Sequence, residues 1–198
     1  KQKVTYTIID DTTNTTLEDK QELTIGNSDT PLPNDTEAKY NSIVDAYLAQ
    51  GYELVSKDQL PAKFDLDSNY DQNVVVHVKH KVSTSTETNT VTQTINYVYE
   101  EDNTPAAPEK KTTLIFSREM KTDEVTKVTT PGAWTPSVGT FPEVISPVVD
   151  GYTPDKAKVD AENVTANQED ITVTVKYKAD KQKVTYTIID DTTNTILE

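Results

Sequence analysis

Val4, Tyr6 and Ile8 alternate with Thr5 and Thr7, the period of two that a half-buried strand shows, so the chain opens with a strand. Asp10 to Thr13 with Asn14 supplies turn chemistry, and Leu17, Leu23 and Ile25 mark a second strand that ends at Gly26. These predict a hairpin. Beyond the breakers Pro31 and Pro33 the period changes: Tyr40, Ile43, Val44, Tyr47 and Leu48 fall at i, i+3, i+4, i+7 and i+8. Asn34 is placed to cap this helix, with Glu37 three residues later, and Gly51 to end it in the left-handed conformation. Tyr52 to Val55 and Val74 to Val82 then complete the order β-β-α-β-β, one helix across a mixed sheet of about four strands. This is a β-grasp (ubiquitin-like) layout.

The later half shows no comparable helical stripe. It opens with Ile95 to Tyr99, turns near Asp102 to Pro108 and continues through Leu114 to Phe116, after which Pro131, Gly132, Pro136, Gly139, Pro142 and Pro147 break any long helix. Its last strand alternates Ile171, Val173, Val175 and Tyr177 with Thr172, Thr174, Lys176 and Lys178. The expectation is strand and loop. Aligning Val74 to Lys81 with Ile171 to Lys178 sets apolar residues opposite each other at both ends, so the two halves look related.

Residues Lys181 to Glu198 repeat Lys1 to Glu18 with a single difference, Ile196 against Thr16. An offset of 180 residues exceeds the 20 to 50 residues of solenoid and propeller modules and leaves room for one or two domains with their own cores. The reading is a unit of a tandem array: residues 1–89 as a β-grasp module, closed by Lys79, Lys81 and the polar run Ser83 to Asn89, residues 90–180 as a β-rich module, and residues 181–198 as the start of the next repeat. Tandem units suit length and multivalency better than catalysis. An elongated fold, mainly β with one helix (α+β), is expected.

Composition narrows the partners. At 34% hydrophobic the chain is lean but sufficient for small sheet domains, and no stretch approaches the ~20 apolar residues of a membrane span. No signal segment is read either. Without cysteine there is no disulfide framework, which fits a Gram-positive surface protein better than a small eukaryotic secreted module. A net charge of −14 with pI ≈ 4.5 disfavours nucleic acid and anionic lipid, both of which need a basic face.

Enzymatic chemistry finds little support. His77 and His80 stand three apart on a strand and so point to opposite faces, His80 inward where Tyr177 stands in the other half and His77 outward. No Gly-x-Ser-x-Gly elbow or Gly-rich phosphate loop occurs. Carboxylate pairs such as Asp10-Asp11 and Glu100-Glu101 read as solvated turns in a chain with 33 acids. No cofactor is required. One metal candidate remains, since Asp65, Asp67, Asn69 and Asp71 cluster the oxygen ligands that calcium takes. Tyr70 stands where such a loop needs glycine and Val76 where it needs a bidentate glutamate, so the pattern is broken.

Ile95 to Tyr99, Phe141 to Val144, Asp150 to Ala157 and Asp170 to Tyr177 together resemble the second module of the large mucus-binding repeats of lactic-acid bacteria. The first half, with its Gly51-Tyr52 and terminal strand, looks like the accompanying β-grasp module. What the resemblance implies is an adhesin anchored to the cell wall, whose repeats bind host mucin glycoproteins. Each repeat is then a monomeric unit of the array, with no insertion into a membrane.

For carbohydrate, Trp134 stands in the broken loop PGAWTP, where it could stack on a sugar face or fold over the sheet as a lid on a small core. Tyr99 and Tyr70 are the tyrosines expected to be exposed; Tyr6, Tyr97, Tyr152 and Tyr177 are expected inward. Three functions stay open: multivalent binding of mucin glycans, recognition of host immunoglobulin by a β-grasp face, and a passive spacer in a surface stalk.

Overall fold

The computed structural model describes residues 1–197, so Glu198, the final position of the 181–198 segment, lies outside the described residues. Two compact units form, one from Lys1–Glu87 with Arg118–Ala133, the other from Thr88–Ser117 with the chain from Trp134 onward.

In the first unit, β1 (Gln2–Asp10), β2 (Thr15–Gly26), α1 (Thr36–Ala49), β3 (Tyr52–Lys57) and β4 (Gln72–His80) appear in the expected order. The sheet runs β2-β1-β4-β3, with β1 parallel to β4 and the outer pairs antiparallel, the β-grasp arrangement. Its core joins Val4, Tyr6, Ile8, Leu23, Tyr40, Val44, Phe64, Val74, Val76 and Val78, with Ile43 and Tyr47 partly buried against it. The helical stripe therefore faces the sheet, although Leu48 at its end is exposed.

Three details depart from the sequence reading. The helix begins one residue later than its expected cap: Asp35 is the N-cap, with no side-chain cap bond, and Thr36 N–H donates to Pro33 O at 3.0 Å. Second, β1 is buried on both faces, because it is a central strand. Thr5 and Thr7 lie inside, and both hydroxyls donate to Asn73 Oδ1, at 3.0 and 3.3 Å, which offsets the loss of water. Third, Ser83 to Asn89 does not end a sheet but belongs to β5 (Val82–Tyr99). A Ser/Thr-rich run has the β-branched character of a strand while offering no apolar alternation to betray it.

The stretch Arg118–Ala133 of the first unit holds the end of β6 (Pro105–Asp123) and β7 (Thr129–Pro131), which pair antiparallel from Met120↔Pro131 to Thr122↔Thr129. Glu124 N–H donates to Lys81 O at 2.9 Å, so this hairpin docks beside the end of β4.

In the second unit the strands follow the order β10-β13-β5-β6, where β10 is Tyr152–Pro154 and β13 is Ile171–Ala179. β13 is parallel to β5 and antiparallel to β10. This is the pattern of β3-β4-β1-β2 in the first unit, so the relationship read between Val74–Lys81 and Ile171–Lys178 corresponds to like-placed strands. Among the described residues of the second unit the helix has no counterpart. Short pairs stand in its place, β8 (Gly139–Phe141) with β12 (Glu162–Val164), and β9 (Val144–Ile145) with β11 (Lys158–Val159). Two cores result: Val91, Phe116, Phe141, Val164 and Ala166 in one, and Ile95, Tyr97, Val159, Val175 and Tyr177 in the other.

The tail forms only a small hairpin, β14 (Ile189–Asp190) with β15 (Thr195–Ile196). Among the described residues no helix is long and apolar enough to cross a membrane.

Candidate functional site

The turn between β5 and β6 and the start of β10 build a cleft of about 500 Å³ in the second unit, lined by Tyr99, Tyr152, Tyr177, Thr104 and Lys178 with Glu100, Glu101 and Asp102 at the turn. Local hydrogen bonds fix it. Tyr99 N–H donates to Thr104 O, and Asn103 N–H to Tyr99 O, both at 2.9 Å, with Asn103 in the left-handed region at φ 58° that asparagine tolerates. Asp102 Oδ1 accepts from the Thr104 hydroxyl at 2.7 Å and from its N–H at 2.9 Å, and these bonds hold the Asp102 carboxyl below its ordinary range. Glu100 N–H donates to Tyr177 O, pinning the turn to β13.

Tyr99 and Tyr152 meet with ring centroids 4.7 Å apart and planes tilted by 54°. Both are partly buried against the core that contains Tyr97 and Tyr177, and Tyr177 OH donates to Pro147 O at 2.6 Å. Burial pushes the Tyr177 and Tyr97 hydroxyls up, so they stay neutral donors throughout the physiological range. A half-buried tyrosine pair beside hydroxyl, carboxylate and ammonium groups combines an apolar platform with polar acceptors and donors, the combination a sugar needs.

Of the ligand-binding candidates Trp134, Tyr99 and Tyr70, Tyr99 alone lines this cleft, half-buried where exposure was expected because its ring packs on Tyr152. Trp134 packs on the other core with Leu114 and Ile171, which is the lid arrangement. Tyr70 is exposed as expected, but in the loop before β4 of the first unit. Tyr152 packs against the core as expected and also stands beside Tyr99; the signal that could have marked it is its dipeptide Gly151-Tyr152, which repeats Gly51-Tyr52, the first opening β10 antiparallel to β13 and the second opening β3 antiparallel to β4.

The acidic loop is organised around itself. Asp67 Oδ1 accepts from the N–H of Asn69 at 3.0 Å and from its side-chain amide at 3.1 Å, and Asp65 N–H donates to Gln72 Oε1. Among the described residues no three His, Cys, Asp or Glu side chains converge where a metal ion could sit.

The two histidines separate: His80 is buried inward as expected, while His77, expected outward, is half-buried. Their partners include the Asp10-Asp11 pair expected in a solvated turn. His77 Nδ1 lies 2.7 Å from Asp11 Oδ1, while His80 lies 3.1 Å from Asp10 Oδ2 and 2.6 Å from Asp123 Oδ2. Asp10 is thus buried, not solvated.

Comparison with known proteins follows the two halves. Residues 82–181 match the family of Muc B2-like domains, and residues 2–80 match a mucin binding domain. The solved structure of Mub-RV is similar at 32% identity with a TM-score of 0.76, covering 91% of this chain and 100% of that one. A type 2 repeat of the mucus binding protein MUB from Lactobacillus reuteri is similar at 28% identity and a TM-score of 0.55, again over 91% of this chain and 100% of that one. No protein of curated function matches.

Proposed function

This chain belongs to the Muc B2-like family of mucus-binding repeats, and we propose from that membership that it is a repeat of a bacterial surface adhesin that holds mucin through its glycans. The family is one of binding modules, not of enzymes. The observation that carries the glycan reading is the Tyr99–Tyr152 pair in the cleft beside Thr104, Asp102 and Lys178. A single open cleft of this kind binds weakly. Repeats on one chain raise the effective concentration into the millimolar range, and avidity then gains ~100-fold or more without any new contact.

The test is binding of the chain to immobilised mucin before and after enzymatic removal of glycans, with immunoglobulin as a parallel surface. Loss of the signal on deglycosylation, together with a weakened signal for Tyr152→Ala, supports the proposal. Binding that survives deglycosylation, or that occurs only on immunoglobulin, overturns it in favour of a protein-binding grasp face. No binding on any surface leaves the spacer.

A further inference from the structure

The second unit's sheet carries a groove on the face turned away from its core. Along β5 the buried Ile95 and Tyr97 alternate with the half-buried Asn96 and Val98, and β13 buries Val175 and Tyr177 while exposing Thr174. Asn96 and Thr174 are register partners across the parallel β5–β13 pair. With Val98, and with Asn103, Pro105 and Ala107 from the turn and the start of β6, they line a groove of about 460 Å³, the size of a small-ligand site.

Its chemistry is specific. The walls are mainly apolar, through Val98, Pro105 and Ala107, while the side chains of Asn96 and Thr174 make no hydrogen bond to any described residue. A carboxamide sets a donor beside an acceptor, which is the complement of another amide. An acetamido group joins such an amide to a methyl that the apolar wall can take out of water; a sugar hydroxyl offers only the polar half. An added peptide strand fits poorly. Among the described residues β7 pairs with β6 only from Met120 to Thr122, so β6 is an edge at its start, and there it carries Pro105 and Pro108. These stand three apart, so by the alternation of a strand one of the two missing N–H groups falls on the outer side.

The groove also borders the tyrosine cleft. Asp102 and Thr104 of the turn line the cleft, Asn103 and Pro105 the groove, and Val98 of the groove precedes Tyr99 of the cleft, ~3.8 Å away at Cα. A ligand passes from one to the other by crossing a single turn.

Building on the reading of this unit as a glycan binder, we propose that the groove is a second subsite, taking a 2-acetamido sugar (an N-acetylhexosamine) of the same glycan whose neighbouring residue stacks on Tyr99 and Tyr152. The Asn96 side chain pairs with the acetamido amide, Thr174 with a ring hydroxyl, and the methyl lies on Val98, Pro105 and Ala107. Preference for the acetamido group is then set by Asn96, while the tyrosine pair supplies a platform that any pyranose can use.

The test is a nuclear magnetic resonance titration of the full, isotope-labelled chain with N-acetylglucosamine against glucose and N-acetylgalactosamine against galactose, each pair differing only in the acetamido group. The signals read are the Asn96 side-chain amide and the backbone amides of residues 96–98. They should shift with an acetamido sugar and not with its plain counterpart. Asn96→Ala should weaken the titration at least about fivefold, and Thr174→Trp, which fills the groove from an exposed position, should abolish it, both with unchanged melts. Tyr152→Ala should leave this titration intact, which separates the groove from the cleft. No shift with either acetamido sugar, an equal shift with the plain sugars, or a shift that survives both groove variants overturns the proposal. A shift with a sugar-free peptide rich in threonine and proline, and none with the acetamido sugars, overturns it too and gives the groove to a polypeptide. Failure of the glycan reading shows separately, as mucin binding that survives deglycosylation.

Discussion

His80 and Asp123 are 43 residues apart in sequence and 2.6 Å apart in space, Nδ1 to Oδ2. On the other side of the ring Nε2 faces Asp10 Oδ2, the Tyr52 ring meets it edge-on at 5.4 Å, and the His80 N–H donates to the Thr12 hydroxyl. With a carboxylate at each ring nitrogen, only the doubly protonated imidazolium satisfies both. The bond to Asp123 raises the His80 pKa above 6.5 despite burial, and the same bond lowers that of Asp123 from 3.8 to about 2. Burial pushes the Asp10 carboxyl up, but the Thr13 and Thr12 donors and the His80 charge bring it below its ordinary value.

The pH dependence follows in sign. His80 contributes stability that is complete below pH 6.5 and is lost as pH rises through its raised folded value; Asp123 contributes stability that is complete above pH 3.8 and is lost as pH falls through about 2. The first unit should therefore be most resistant to urea between about pH 4 and 6.5. His80→Gln should flatten the alkaline limb. Urea midpoints across this range for both proteins check it, and an alkaline limb unchanged in His80→Gln would assign the effect elsewhere.

Asp123 also anchors the Arg118–Ala133 hairpin, since it caps its own turn through the N–H groups of Val125 and Thr126 at 2.9 and 3.0 Å. Asp123→Ala should loosen that hairpin before the grasp sheet melts. Limited proteolysis reads this directly: cleavage within residues 118–133 should rise while the products of the rest of the first unit persist.

Glu18 joins helix to sheet. Its two oxygens accept from Tyr6 OH at 2.5 Å and from Tyr47 OH at 2.6 Å, and burial together with the carboxylate pushes the Tyr6 hydroxyl up to about 12. Removing the acceptor strands two partly buried hydroxyls, at about 1–3 kcal/mol for each left unpaired. Glu18→Ala should lower the melting of the first unit accordingly, and Tyr47→Phe in that background should recover part of it because one stranded donor is gone.

What was legible from the sequence had a short-range cause. The helix stripe Tyr40 to Tyr47, the left-handed Gly51 at φ 99°, the strand character of β1 and the alternation of β13 are set by neighbours within a turn or two, and they appear as expected. The fold class followed from them. Long-range causes were not legible: Asp10 looked like a solvated turn acid because its partner His80 comes 70 residues later, and the Thr5 and Thr7 face looked wet because Asn73 comes from a distant strand. The cleft suffered likewise. Tyr99 was found as a tyrosine near a turn, but its companion Tyr152 is brought up by β10, a three-residue strand with too little pattern to read.

Two glycines with positive φ separate backbone strain from close packing. A Cβ at Gly51 would lie 2.2 Å from Glu124 O, whereas at Gly151 it would meet nothing within 4 Å. Gly151→Ala should cost only the left-handed conformation, about 1–2 kcal/mol. Gly51→Ala should cost that and also displace the turn at Glu124, so the melt of the first unit should fall further than that of the second does in Gly151→Ala. Equal shifts would mean that the Glu124 turn yields freely.

Tyr152 and Trp134 make opposite predictions, since one lines the cleft and the other covers a core. If a sugar stacks on the tyrosine pair, Tyr152→Phe keeps the platform and should retain most mucin binding, while Tyr152→Ala should lose it with little change in the melt, Tyr152 being only partly buried. Trp134→Ala removes the lid over Phe116 and Phe141 and should lower stability by up to about 3–5 kcal/mol, the range for large aromatic residues packed on a core. Its mucin binding at a temperature where the unit is still folded should match that of the unaltered chain. The two measurements together locate the ligand: binding lost in Tyr152→Ala and kept in folded Trp134→Ala places the sugar at the β5–β6 turn, and the reverse pattern would move it to the proline-rich loop around Trp134.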